Sequence, residues 1–359
     1  MASLNLSLKK MSRTSRRNYL TYGLVILAYI ILQVMHGSLS SSLKGMLVPI
    51  CAYVVMAVSL NLTVGILGEL SLGHAGFMSV GAFSGVIAAM SLQNAVPLGW
   101  ARLVIALAAG AAFAALAGFI VGVPVLRLRG DYLAIVTLAF GEIIKELINC
   151  LLVGCDENGL HIAFNISGTL TIDDLGMSPG GTAIIKGAQG ATGTEKLASF
   201  GAGFILVMLT LVIVLNLVRS RAGRAVMAIR DNRIAAESIG VNITKYKMIA
   251  FITSAALAGA AGALYGLNYS SLAASKFDFN TSILVLVYVV LGGLGNIWGS
   301  IIAAAVLYIL PEALRQFSDY RMLVYAIVLI LVMLATNNPT IKNFLGRFKP
   351  RRSHRKEAA

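Results

Sequence analysis

The feature that most constrains this chain is a succession of long apolar stretches. A helix that crosses the hydrocarbon core of a membrane needs about 20 mainly apolar residues. Stretches of this kind predict spans at residues 19–37, 45–66, 70–92, 101–123, 132–153, 199–218, 247–268, 282–310 and 321–337. With 58% hydrophobic and 12% charged residues among 359, the chain has more apolar surface than one soluble core can hide. The predicted fold class is an all-α polytopic membrane protein.

Lysine and arginine residues predict how the chain is oriented in its membrane. Most of the 29 fall in four segments, which are the N-tail 1–18, the short loop 124–131, the loop 219–247 and the C-tail 338–359. Basic segments favour the cytoplasmic side of the cell membrane. Both tails are therefore predicted to be cytoplasmic and to flank a transmembrane domain at 19–337. The polar loop 154–198, with its excess of acidic residues, is then external.

A glycine cluster divides the longest apolar stretch. Residues 282–310 are too many for one ordinary span, and Gly292-Gly293-Leu294-Gly295-Asn296 interrupts them. One span here would leave the basic C-tail outside, whereas two short helices, re-entrant or crossing, return it to the cytoplasm. This gives about nine or ten membrane segments. Broken helices are tolerated where they line a cavity or are buried in protein, so the break is a candidate pathway element. The alternative is that its glycines serve close helix packing alone.

Motifs of enzymes are missing from the sequence. It contains no P-loop, no G-x-S-x-G, no H-E-x-x-H and no Cys/His spacing typical of metal ligands. We therefore expect no catalytic residue, no metal and no enzymatic activity, which disfavours a membrane enzyme. The net charge of +14 indicates basic cytoplasmic loops next to membrane lipid rather than binding of nucleic acid.

Two charged residues inside one predicted span, Glu142 and Lys145, stand three residues apart. Residues at i and i+3 share a helix face, so they predict an intramembrane ion pair that sets helix packing. Ionisable groups within spans are often functional. An ion-coupled secondary transporter that uses Glu142 is therefore the alternative to a transporter driven by a partner.

The loop 219–247 is the most informative polar segment. Ala225, Ala228, Ile229, Ala236 and Ile239 can share one face of one or two short helices, and Gly240 is a natural stop. Such an arginine-rich amphipathic segment is typical of a docking site for a cytosolic protein or for anionic lipid. The alternative is a solvated loop without a partner.

Four blocks of sequence occur in an order that resembles a known family. They are NLTVGILGELSLGHAGFMSVGAF (61–83), LRLRGDYLAIVTLAFGEIIKELI (126–148), GRAVMAIRDNRIAAESIGVNITKYKMIAF (223–251) and GGLGNIWG (292–299). Together they resemble the LivM-like permease subunits of branched-chain amino acid ABC importers. The chain departs from the family at Glu69, where a glutamine is usual. It also departs in the external loop, where residues 159–176 alternate like a small β-hairpin.

The resemblance implies an importer with two permeases and two ATPases. This chain would work with a LivH-like second permease, two cytosolic ATP-binding subunits and an extracytoplasmic solute-binding protein. ATP and Mg would bind to the partner ATPases, and this chain would bind no cofactor. The implied function is translocation of branched-chain or related amino acids by alternating access.

Two sets of candidate site residues follow. The resemblance implies that the loop couples to the ATPases through Gly223, Arg224, Ala228, Arg230, Ala235, Ala236, Glu237 and Gly240. A pathway between two glycine-rich blocks would offer apolar walls and free backbone groups to a zwitterion. Its candidate residues are Ser71, Leu72, Gly73, His74, Phe77, Gly292, Gly293, Leu294 and Gly295.

Overall fold

The structure is a computed structural model. It describes residues 13–35, 40–126, 132–156, 159–165, 170, 172–178, 181–315 and 320–337. The N-tail before residue 13, the basic residues at 127–131 and the C-tail 338–359 lie outside the described residues, so the predictions made for them remain predictions. The chain divides into a compact unit of residues 1–305 and a second unit of residues 306–359.

The described part of the chain contains twelve helices and five strands. The helices are α1 Arg13–Met35, α2 Ser41–Asn61, α3 His74–Ser91, α4 Gly99–Val125, α5 Tyr132–Asn149, α6 Phe200–Arg219, α7 Arg221–Asp231, α8 Arg233–Ser238, α9 Ile243–Gly266, α10 Phe279–Gly292, α11 Ile297–Ala313 and α12 Arg321–Asn337. A π-helical turn, Leu62–Leu67, continues α2. The strands are β1 Leu151–Asp156, β2 Gly159–Phe164, β3 Thr182–Lys186, β4 Ala191–Thr192 and β5 Ser271–Leu272.

Membrane-spanning character is concentrated in five of the described helices. They are α2 with its π turn, α3, α4, α6 and α9, each long and apolar enough to cross a membrane. Every predicted span overlaps a helix, and the all-α polytopic fold class is confirmed. The long stretch 282–310 forms two helices, α10 and α11, with the division at the glycine cluster as predicted.

Helix α9 lies at the centre of the first unit and packs against α2, α3 and α4. Its contacts with α3 and α4 bring backbones together. A Cβ atom at Gly81 of α3 would overlap the backbone of Gly259 in α9, and one at Gly259 would overlap the carbonyl of Gly110 in α4. Small residues of this kind let membrane helices gain van der Waals contact without bulky side chains between them.

The first unit has two different ends. Helices α6 and α9 both connect the strands at one end with the short helices α7 and α8 at the other. Helix α10 begins after β5, and the glycine cluster that follows it lies beside the π turn, next to α7. Its 14 residues cover about 21 Å at 1.5 Å per residue, so it connects the two ends.

The strands form an antiparallel sheet in the order β2-β1-β3-β4-β5. The hairpin expected within 159–176 is wrong, because β2 pairs with the preceding β1, from Leu151 opposite Phe164 to Asp156 opposite Gly159. The predicted span 132–153 is also too long, since α5 ends at Asn149. Both errors arise because the start of β1 was assigned to the preceding span, which left β2 without its true partner. The start of β1 is apolar and buried in the sheet, and a short buried strand resembles a helix end in sequence.

The second unit begins within α11 and includes α12. Side chains of α12 such as Leu323, Ile330 and Leu331 are exposed on this chain alone. An ion pair joins Arg315 Nη1 and Glu312 Oε1 at 3.3 Å. Exposed apolar side chains that lie together on one helix are typical of surfaces that contact lipid or another membrane subunit.

Candidate functional site

The loop between α6 and α9 folds into two short helices, as its sequence predicts. We call residues 221–240, which contain α7 and α8, the docking segment. Ser220 Oγ accepts a hydrogen bond from the Gly223 amide at 3.1 Å and so caps α7. Asn232 Oδ1 accepts one from the Ala235 amide at 3.0 Å and caps α8. Gly240 follows α8 with φ +82°, a left-handed conformation that favours glycine.

One face of the docking segment packs on the membrane helices. Val226 of α7 belongs to a buried cluster with residues of the π turn and with Ala250 of α9. Ile229 and Ala236 form a second cluster with Ile243 at the start of α9. These contacts hold the short helices against the ends of the longer ones.

The opposite face exposes large apolar side chains. Ile234 is 80% exposed and Ile239 is 78% exposed. The expectation that Ile239 shares one face with Ile229 and Ala236 is therefore wrong, since those two side chains are buried. The helical period does not continue through the segment, because Asn232 breaks it between α7 and α8 and the second helix ends at Ser238.

The candidate coupling residues divide between the two faces. Gly223 and Ala236 are buried and Ala228 is half-buried. The exposed members are Arg224, Arg230, Ala235, Glu237 and Gly240. Arg230 also makes an inward contact, because its Nη1 donates to the carbonyl oxygen of Gly65 in the π turn at 2.8 Å.

The glycine-rich block at 71–77 lies between α5, α10 and the end of α2. The Leu72 amide donates to Thr137 Oγ1 at 3.1 Å, and a Cβ atom at Gly73 would overlap the Thr137 carbonyl. His74 Nε2 lies 2.8 Å from Ser59 Oγ. Because that hydroxyl already donates to a backbone carbonyl, it accepts the histidine N–H.

Two other candidates of this block are buried beside it. Phe77 packs edge-on against Phe251 of α9, with ring centroids 5.6 Å apart. Within the described part of the chain, Ser71 Oγ is buried without a hydrogen-bond partner. The Ala75 amide donates to Ser282 Oγ in the first turn of α10 at 3.1 Å.

The glycine break lies at the other end of α10. Gly293 and Gly295 have φ values of +94° and +77°, which an L side chain rarely adopts. Gly292 packs directly on the backbone of Gly299, and Leu294 is 57% exposed. The Gly295 amide donates to Asn61 Oδ1 at 2.8 Å.

The two predicted pathway blocks contact the same helix at different heights. The block at 71–77 meets α10 at Ser282, and the break follows Gly292. Ten residues separate these positions, or about 15 Å along the helix axis. A pathway that uses both blocks would therefore run along α10.

A small recess lies beside the first of these contacts. Apolar side chains of Leu72, Leu138 and Phe277 line it together with Glu142, Asp278 and Ser282. Lys145 Nζ contacts Glu142 Oε2, and the other carboxylate oxygen, Oε1, accepts from the Phe279 amide at 3.2 Å. Glu142 thus pairs with Lys145 and also satisfies a donor at the start of α10, a role that its sequence spacing does not indicate.

Asp278 caps the same helix. Its Oδ1 accepts from the Thr281 amide at 2.9 Å and its Oδ2 from Asn280 Nδ2 at 2.9 Å. Partial burial raises the pKa of the carboxyl, but hydrogen bonds from Thr281 and Asn280 and the charge of Lys145 outweigh it. The pKa of Asp278 therefore lies below its ordinary value.

A second ion pair, absent from the sequence-based predictions, joins Glu69 to Lys247 of α9. The side chains are 16% and 5% exposed, so both charges are largely removed from solvent. Glu69 stands in the link between the π turn and α3. The pair therefore ties this link to the start of the central helix.

Comparison with protein families matches nearly all of the described elements to one model. The family is described as branched-chain amino acid transport system / permease component, and it matches residues 42–333. The chain belongs to this family. The resemblance recognised in the sequence is thereby confirmed, as is a multi-pass membrane protein of the transport permease class.

Relatives within this permease family support the assignment. LivM, the high-affinity branched-chain amino acid transport system permease protein of Escherichia coli (strain K12), is 36% identical over 79% of this chain. The match covers 66% of the length of that relative. The LivH permease protein of the same strain is 26% identical over 82% of this chain and 91% of its own length. The ribose import permease RbsC of Haemophilus influenzae is 26% identical over 40% of this chain and 50% of its own length. No solved structure matches the chain.

Proposed function

We propose that this chain is the transmembrane permease subunit of an ATP-binding-cassette importer for branched-chain or related amino acids. A second, LivH-like permease completes the pathway, and an extracytoplasmic binding protein delivers the substrate. Two cytosolic subunits bind and hydrolyse ATP with Mg, whereas this chain binds no cofactor. The family match and the similarity to the amino acid permeases LivM and LivH support the class of substrate.

The observation that carries the proposal is the docking segment. Its inner face is anchored in two buried clusters, while Ile234 and Ile239 project outward. A few side chains at the desolvated centre of an interface contribute most of its binding energy. A firmly seated helix pair with such a face is suited to receive force from an ATPase subunit.

The proposed mechanism is alternating access. ATP-driven closure of the ATPases pushes the docking segment, and the membrane helices rock to open the pathway to one side and then the other. The proposal places the segment and both tails in the cytoplasm and the strands outside. Cysteine labelling of either tail in intact cells tests this orientation, and labelling of the C-tail from outside contradicts it.

A substitution with a matched control tests ATPase docking. Ile234→Glu places a charge on the exposed face of the docking segment, and Ile162→Glu does the same on β2, where Ile162 is 60% exposed. We expect the first variant to lose co-purification of ATP-binding subunits from membranes, as identified by mass spectrometry. The second retains it. Normal co-purification with Ile234→Glu contradicts the docking surface.

The energy source separates this proposal from an ion-coupled transporter that uses Glu142. In membrane vesicles, an ABC importer transports when ATP is supplied and continues when ion gradients are dissipated with ionophores. Transport that follows an ion gradient without ATP contradicts the proposal.

A further inference from the structure

One arginine connects the docking segment with the π turn. Arg230 Nη1 donates to the Gly65 carbonyl at 2.8 Å. The last carbonyls of a helix have no partner within the helix, so Gly65 offers a free acceptor at this place. At Gly68, where φ is +82°, a Cβ atom would meet Arg230 Cγ at 2.5 Å. The arginine side chain therefore lies closely against the turn.

One asparagine connects the same turn with the glycine break. Asn61 precedes the π turn and is fully buried. Its Oδ1 accepts from the Gly295 amide at 2.8 Å, and its Nδ2 donates to Ser300 Oγ at 2.9 Å. The side chain thus holds the break and the first turn of α11 together. A buried amide that loses such partners is costly, because no water replaces them.

The π turn and the break approach each other closely at Gly65. A Cβ atom at Gly65 would overlap both Asn61 Oδ1 and the Gly295 amide nitrogen. π-helical turns are rare and occur frequently at functional sites. Val226 of α7 also packs on this turn, so α7 contacts the turn through apolar and polar groups alike.

We propose that Arg230 and Asn61 are positioning residues that transmit movement of the docking segment to the break between α10 and α11. The proposal rests on the proposed importer function. Arg230 connects α7 to the π turn, and Asn61 connects the turn to Gly295 and Ser300. A push on α7 therefore reaches the helix pair beside the candidate pathway through two side chains that do not bind the substrate.

The test is a double-substitution cycle in the complete transporter. The full complex is reconstituted in proteoliposomes with its binding protein, and transport of radiolabelled leucine is divided by ATP hydrolysed. Arg230→Ala removes this hydrogen bond together with an exposed ion pair to Asp231, which contributes little. The variant should lower this coupling ratio by about tenfold or more, the scale of a lost hydrogen bond from a charged group. Arg230→Lys retains a donor and should restore much of the ratio. Arg315→Ala removes an arginine that is 69% exposed and lies outside the docking segment; it is the matched control and should leave the ratio unchanged.

Non-additivity distinguishes transmission from separate structural effects. Arg230 and Asn61 act through the π turn, so the double variant Arg230→Ala/Asn61→Ala should be no worse than the poorer single variant. If Asn61→Ala fails to reach the membrane, Ser300→Ala replaces it, because it removes the acceptor of the Asn61 amide. Effects that add, or a normal ratio with Arg230→Ala, overturn the proposal.

Co-purification of the ATP-binding subunits distinguishes failure of this proposal from failure of the proposed importer function. Arg230→Ala should retain the ATP-binding subunits, because its contact is with the π turn. Loss of these subunits in this variant would make Arg230 part of the docking surface and overturn the transmission role alone. Failure of the unmodified chain to bind any ATP-binding subunit would overturn the importer function on which the proposal rests.

Discussion

The ion pair between Glu69 and Lys247 permits a quantitative test of the packing around the central helix. The Lys247 side chain is 5% exposed and that of Glu69 is 16% exposed. Removing one partner of a buried pair costs about 3–5 kcal/mol, because the other charge stays buried without compensation. Glu69→Gln should lie near 3 kcal/mol, since its amide oxygen still accepts a hydrogen bond, whereas the double variant Glu69→Gln/Lys247→Met leaves no charge and should cost less.

Thermal unfolding of the purified chain in detergent measures the difference. For a protein of this size 1 kcal/mol corresponds to about 2 °C in Tm, so Glu69→Gln should lower Tm by about 6 °C. All variants are heated at one rate, because unfolding of such proteins is often irreversible. As a control, Glu312→Gln removes the ion pair with Arg315, whose side chain is 69% exposed. This variant should change Tm by about 2 °C or less.

Two results would refute the reasoning. A Tm for Glu69→Gln equal to that of the unmodified chain would show that the buried lysine is compensated by other groups. A double variant that loses as much as Glu69→Gln and Lys247→Met, each measured alone, lose together would show that the charges do not interact.

Three further outcomes are expected. Glu142→Gln with Lys145→Met should transport more than Glu142→Gln alone, because Lys145 in the single variant keeps only Glu146, 3.6 Å away, as a partner; an assembled but inactive double variant would instead assign Glu142 to the pathway. Gly81→Ala should reduce the amount of folded protein in detergent, because a Cβ atom there overlaps the backbone of α9. Gly45→Ala, where space is open, should leave this amount unchanged. Equal yields of the two variants would contradict the close approach of α3 and α9. Because the pKa of Asp278 is lower in the folded chain, its charged carboxylate stabilises the fold above the ordinary carboxyl pKa, and this stabilisation is lost as pH falls through the lower folded pKa. The Tm of the unmodified chain should therefore exceed that of Asp278→Asn by less below about pH 4. A Tm difference that stays constant with pH would refute this role of Asp278.

Much of the membrane architecture follows from local properties of the sequence. Apolar length is enough to locate a helix that must satisfy its backbone internally. The glycine cluster at 292–296 predicts a break, because glycine tolerates the positive φ values that Gly293 and Gly295 adopt. The docking segment was likewise predicted, as one or two short helices with Gly240 as the stop. The structure adds Ser220 and Asn232 as the caps of these helices, and their effects are equally local.

Local rules were insufficient where burial depends on partners distant in sequence. Leu152 and Val153 extended a predicted span because apolar residues in a buried strand and at a helix end look alike. Ile239 was placed on one face with Ile229 and Ala236 because the sequence did not show how α8 is turned relative to α7. The family assignment depended on the order of whole blocks, which the comparison with the permease family then confirmed.

By itself, therefore, the sequence determined a polytopic helical permease, its broken helix and its capped docking segment, because hydrophobic length, glycine conformation and helix capping act over a few residues. The tertiary structure alone decided which groups meet. It places Lys247 beside Glu69, 178 positions earlier, and it places Asn61 at the break, 234 positions before Gly295. Such pairs are set by how α2, α9, α10 and α11 pack around one another, and no local pattern contains that information.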